Sequence, residues 1–203
     1  MMSTIRHPAA IVLVSILGSG CASTRLDAQW ADPQLPSLRG ARVLVACEAR
    51  EPVIKQICQD RVAAEVVARG ATPVIAPETL VASGSRVPSD DPYAQAARNA
   101  GARAVLTQTI APYGSSMSPG FSVGLGGFGI GSGGFGAGVG VSAPIGGGQV
   151  QTGYAANARL TDANSGKLLW TAKASSPPSQ DVQTQMMELT RAVFGAADKV
   201  GLF

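Results

Sequence analysis

The stretch RVLVACEAREPVIKQICQDRVAAEVVARGATPVIA, residues 42–76, decides the fold. Arg42–Cys47 is a short apolar run between Gly40 and charged residues, the pattern of a buried strand. Pro52 suits the first turn of a helix. Ile54, Ile57, Cys58, Val62, Val66 and Val67 then recur at three- and four-residue spacing and make one apolar stripe. Gly70 stands where a C-terminal cap is expected. Thr72–Ala76 (TPVIA) is the next strand, with Pro73 marking a strand start or an edge. The segment predicts a β-α-β unit with parallel strands and a right-handed crossover.

Downstream, Asp91-Pro92 reads as an N-cap followed by Pro at the first helical position. Tyr93, Ala96, Ala97 and Ala100 form a small stripe that ends at Gly101, and Ala104–Ile110 (AVLTQTI) is a third strand. Val150, Thr152, Tyr154, Ala156, Ala158 and Leu160 then alternate on one face, as do Leu168, Trp170, Ala172 and Ala174. DANSG (162–166) joins the two runs, which predicts a β-hairpin with positive φ at Gly166 or Asn164. A last helix from about Ser179 carries Val182, Met186, Leu189, Val193, Ala196 and Val200, a stripe that covers the sheet.

The expected fold is therefore a small α/β (α+β) domain of three-layer type: β-α-β-α-β, a glycine-rich insertion, then a β-hairpin and a C-terminal helix. The expected divisions are 1–20 signal peptide, 21–40 lipidated N-terminus and linker, 41–113 the βαβαβ part, 114–149 the insertion, and 150–203 the hairpin and helix. Within the linker, Asp32-Pro33 and Leu35-Pro36 block a continuous helix. Trp30 is expected to pack onto the domain edge.

Composition removes most familiar chemistry. The 203 residues include 25 glycines and carry a net charge of +3. The basic residues are scattered, so no stripe tracks a phosphate backbone and nucleic acid is not an expected partner. His7 is the one histidine and lies in the leader. Behind it the chain has no imidazole, which excludes Ser-His-Asp and Cys-His arrangements and any histidine-containing zinc site. Asp60, Arg61 and Glu65 read as a solvated helix face with an i,i+4 pair, and Asp90-Asp91 as capping. No enzyme, metal or cofactor is expected, and no catalytic residue is assigned.

Met1–Gly20 divides into a basic start (Arg6, His7), an apolar run from Ala9 to Leu17 broken by Ser15, and a small-residue exit. The run is about half the roughly 20 residues of a spanning helix, so it reads as a secretory signal peptide. Gly18-Ser19-Gly20-Cys21 resembles the lipobox of bacterial lipoproteins, with Gly18 where that family usually has Leu. The resemblance implies acylation of Cys21 by diacylglyceryl and palmitoyl groups. Ala22, where Asp is absent, implies the periplasmic face of the outer membrane. LTDANSGKLLWTAKAS (160–175), the VLVA strand and ARGATPVIAPETL resemble a group of proteobacterial outer-membrane lipoproteins. At fold level the chain is also similar to the curli secretion channel subunit and to the lipoprotein activators of penicillin-binding proteins, over about 42–112 and 150–203.

Cys47 and Cys58 leave two readings open: a disulfide formed in an oxidising periplasm, or two buried free thiols. From Gly114 to Gly153, sixteen of forty residues are glycine, and no charged residue occurs between Arg103 and Arg159. Phe121, Val123 and Leu125, then Phe128 and Ile130, then Phe135, Ala137, Val139 and Val141 alternate with small residues. Three readings stand: a flexible loop, a hairpin ordered against a neighbour, or a membrane-inserting hairpin with arms near spanning length. The curli-channel resemblance lends support to the third. A phosphate loop is disfavoured, because no Gly-Lys-Ser/Thr follows and the tract leads into a strand.

The reading is a lipid-anchored, non-catalytic binding or assembly module of the envelope, partnered by the membrane through Cys21 and by an envelope protein. The alternatives are a homo-oligomeric channel or secretion-ring subunit that uses the glycine tract, and an activator docking onto a cell-wall synthase.

Overall fold

The computed structural model describes residues 23–78, 80, 91–117 and 150–203. The elements are β1 (Arg25–Ala31), β2 (Arg42–Ala49), α1 (Pro52–Ala68), β3 (Thr72–Ile75), α2 (Pro92–Asn99), β4 (Ala104–Met117), β5 (Val150–Asp162), β6 (Leu168–Ser179) and α3 (Val182–Lys199). One mixed sheet holds all six strands in the order β1-β6-β5-β4-β2-β3. β2 pairs in parallel with β3 and β4, as a β-α-β unit requires, and the remaining pairs are antiparallel. The mixed α/β architecture is the one expected from the sequence.

Helices α1 and α3 cover one face. Their buried positions Ile54, Cys58, Val62 and Val66, and Met186, Leu189, Val193 and Phe194, close over Val43, Val45, Leu106, Ala156, Ala158, Leu160 and Trp170. Helix α2 covers only the parallel part of the other face, where Tyr93 and Ala97 pack on Leu44, Ala46 and Val105. Among the described residues the third layer thus lies over β2 and β4, with Val74 of β3 packed against it.

Three expectations need correction. Residues 25–31, expected to be linker, form edge strand β1 against β6. Its RLDAQWA composition is polar because one edge of the strand and much of its surface face water, and an edge strand needs only backbone pairing. Trp30 stands on this edge, 47% exposed. The division at 113/114 also shifts: β4 pairs with β5 through Met117↔Val150, so residues 115–117 belong to the sheet. Finally, Val67 lies outside the α1 stripe and is exposed, because helical geometry turns it to the solvent side of Val66.

Where β4 and β5 run out from the sheet, the pairing is irregular at Pro112/Ser115 and at Thr152/Tyr154. Gly153 sits in this kink. A Cβ there would stand 2.6 Å from the Tyr113 carbonyl and 2.7 Å from the Ser176 carbonyl, so only glycine lets both neighbouring backbones approach. At the opposite end of the sheet, the β5–β6 turn closes tightly. The Asp162 carboxylate accepts from the Asn164 N–H at 3.1 Å, the Ser165 N–H at 2.8 Å and the Ser165 hydroxyl at 2.9 Å, and Gly166 takes φ 68°.

Candidate functional site

In a parallel sheet the strand ends that carry the outgoing loops form the natural crevice. Here β2 and β4 end side by side, with α1 and α2 beginning beside them. Between them lies an open cleft of about 330 Å³ lined by residues including Glu48, Arg50, Lys55, Glu78, Tyr93 and Thr109. Glu48 follows the apolar run of β2 and pairs in register with Thr109 of β4, which places both side chains on the α2 face. The Thr109 hydroxyl donates to Glu48 Oε2 at 3.3 Å. The Tyr93 hydroxyl faces both Glu48 Oε1, at 3.3 Å, and the Leu80 carbonyl, at 3.2 Å.

Tyr93 is buried, and desolvation together with the Glu48 charge pushes its phenol up to about 12. It therefore stays neutral across the ordinary pH range and acts as a hydrogen-bond donor, not as a base or nucleophile. Asp91, at the N-cap of α2, accepts from the Tyr93 N–H and fixes the start of that helix. The cleft offers charges of both signs and hydroxyl donors. Among the described residues, no group of three or more His, Cys, Asp or Glu is placed to hold a metal.

Cys47 and Cys58 meet beneath this cleft as a disulfide, with Cα atoms 6.0 Å apart. The bond ties the end of β2 to the second turn of α1, and both residues are almost fully buried. Cys21 and the tract residues Phe121, Val123, Leu125, Phe128, Ile130, Phe135, Val139 and Val141 lie outside the described residues. Glu65 of the anticipated i,i+4 pair binds Arg69, not Arg61, and Arg69 also holds Asp198 of α3 at 2.7 Å. The hydrogen bonds that Arg69 donates to Asp198 above all, and also to Glu65, raise its pKa against the opposing cost of burial.

A second surface escaped sequence reasoning. Beyond α2, the face of β4, β5, β6 and β1 opposite α3 carries no helix among the described residues. Strand register lays it out in rows: Thr107–Arg159–Thr171–Trp30, then Thr109–Asn157–Lys173–Ala28, then Ala111–Ala155–Ser175–Arg25. Tyr113 flanks the rows, its ring centroid 5.8 Å from Lys173 Nζ. The alternate polar positions of β5 and β6 were a legible signal of an open face. The contribution of Trp30 was hidden, because β1 looked like linker.

No family model matches the chain, and no curated protein matches it. Among solved structures, it is similar to the PelC dodecamer from Paraburkholderia phytofirmans, at 15% identity and a TM-score of 0.46, over 85% of this chain and 97% of that one. A single-substitution variant of the same dodecamer gives 14% identity and a TM-score of 0.47, over 85% and 96%. At such scores the likeness carries no functional weight. Among the described residues, no helix is long and apolar enough to cross a membrane.

Proposed function

We propose that the chain is an outer-membrane lipoprotein, held on the periplasmic face through an acylated Cys21, whose α/β domain is a non-catalytic binding or assembly module of the cell envelope. The observation that supports it is where the chain joins the sheet. β1 begins at Arg25, four residues after Cys21, at the same end of the sheet where β4 and β5 run out to Met117 and Val150. An extended chain spans about 3.3–3.6 Å per residue, so Arg25 at this end lies within about 14 Å of an acyl anchor on Cys21. Two or more acyl chains make such an anchor stable.

Fractionation of cells carrying Cys21→Ser tests this. The variant is expected to leave the outer membrane for the soluble or inner-membrane fraction. Retention in the outer membrane would overturn the lipid-anchor reading.

A second reading is assembly of several copies through a hairpin that includes the glycine-rich segment. It is supported by the β4–β5 ladder, which persists past the end of the other strands to Met117↔Val150. The mass of the detergent-extracted protein distinguishes a tethered monomer from a discrete oligomer.

A further inference from the structure

The open face of β4, β5, β6 and β1 has an unbalanced chemistry. Arg159 and Lys173 are exposed at its centre, and among the described residues neither makes an ion pair. The carboxylate beside these rows, Asp27 at the irregularity in β1, is already engaged by Arg25 at 3.1 Å and by the Ser175 hydroxyl at 3.0 Å. Glu48, at the α2 border, is engaged by Tyr93 and Thr109. Among the described residues the centre of the face therefore presents two cations without an ion-pair partner, while Glu48 keeps its charge at the α2 border.

Its apolar content is equally distinctive. The three register rows contain no Leu, Ile, Val, Phe or Met, so the aliphatic anchors of a protein–protein interface core are missing. What they offer instead is two half-exposed aromatic rings with a polar handle, Trp30 at 47% and Tyr113 at 48% exposure, flanking cations and threonine hydroxyls. Trp and Tyr rings favour the headgroup layer of a bilayer, and Lys and Arg favour its phosphates. Arg25, the first residue of β1 and four after Cys21, is itself part of the third row.

We infer that this face lies on an anionic phospholipid surface, with Arg159 and Lys173 on headgroup phosphates and Trp30 and Tyr113 in the interfacial layer. The inference rests on the anchored reading of Cys21, which brings the face to the bilayer. The lipid contributes the chemistry that the face lacks, and the short tether limits how far the domain can turn away.

The chain's two tryptophans provide the test, since Trp170 is buried, 1% exposed, and serves as an internal reference. The lipidated protein is reconstituted into vesicles of phosphatidylethanolamine and phosphatidylglycerol in which part of the lipid is brominated. Trp30 emission is expected to be quenched, and Trp30→Phe should leave only the unquenched Trp170 signal. Paired Arg159→Glu and Lys173→Glu substitutions, or phosphatidylcholine vesicles, should remove about half of the quench or more, because each cation near an anionic surface shifts its partition by about fivefold. High salt should weaken it as well. Both substituted side chains are exposed, and an unchanged Trp170 spectrum confirms that the variant is folded.

Protein that floats with the vesicles while Trp30 stays unquenched would overturn the face and leave the anchor standing. Protein that does not float would overturn the anchor and this inference together. A Trp30 response to a soluble anionic glycan or acidic protein, but not to vesicles, would assign the face to that partner and overturn the lipid.

Discussion

Gly153 shows how much one residue decides. It lies in a stretch whose composition suggests only permissiveness, yet its Cα is pressed between the backbones of β4 and β6. Gly153→Ala is expected to destabilise the domain by about 1–3 kcal/mol, read as a lower urea midpoint, because both clashing atoms are backbone and cannot swing aside. Gly195→Ala is the matched control. A Cβ there meets nothing within 4 Å inside α3, so the substitution should stabilise the domain by up to about 1 kcal/mol, read as a higher midpoint. Cys47 and Cys58 act at the same scale. Their bond closes a loop with a separation of 11 residues, and its removal by paired Ala substitutions should cost about 3 kcal/mol through the unfolded state. Under non-reducing denaturation of the exported protein, neither thiol should be titratable. Two titratable thiols would mean that the bond is absent. The sequence brought these two residues into view but left their pairing open, since only the packing of α1 on β2 sets the distance between them.

Among the elements, the β-α-β unit, α3 and the β5–β6 hairpin were legible because each carries its own periodicity and its own turn chemistry. β1 was not. A strand that pairs along one edge and exposes most of its side chains has no apolar alternation to read, and its partner β6 lies more than a hundred residues away in the chain. The extent of β4 was hidden for a related reason. Past Ile110 its residues are small, polar or proline, and their strand character comes from pairing with β5. That pairing makes a prediction. Met117 and Val150 face each other across the ladder, so replacing 118–149 by Asn-Gly gives a two-residue hairpin connection. The shortened protein is expected to keep a single cooperative unfolding transition in calorimetry. Loss of cooperativity would show that the replaced segment contributes to the core.

For the molecule as a whole, the two ends of the sheet differ in kind. One is closed by the Asp162–Gly166 turn and by backbone bonds such as Gly40 N–H to the Gly70 carbonyl at 2.7 Å and Leu38 N–H to the Leu202 carbonyl at 2.7 Å. The other gathers the start of β1, the beginnings of all three helices, the Glu48–Tyr93 cleft and the outgoing β4–β5 ladder. This polarity explains why anchoring and binding are expected to share one end. It also sets the whole-molecule readout for the Asn-Gly variant. If copies assemble through the glycine-rich segment, detergent-extracted wild type should run as a discrete oligomer and the shortened chain as a monomer. A monomer in both cases would overturn the assembly reading.

The sequence by itself determined the scaffold and supplied the expectation of an address. The expected leader over residues 1–20 ahead of Cys21, a crossover unit with matched strands, a turn with its own hydrogen-bonding residues and an amphipathic last helix are all local patterns, readable because each is encoded within a few turns of chain. Tertiary structure alone decided the sheet order, the recruitment of residues 25–31 as an edge, the burial of Gln108 and the meeting of Glu48, Tyr93 and Thr109. It also decided that α2 shields only part of the second face and leaves Arg159, Lys173 and Trp30 together in the open. These features depend on side chains brought side by side from distant strands, and no local period records which strands will be neighbours.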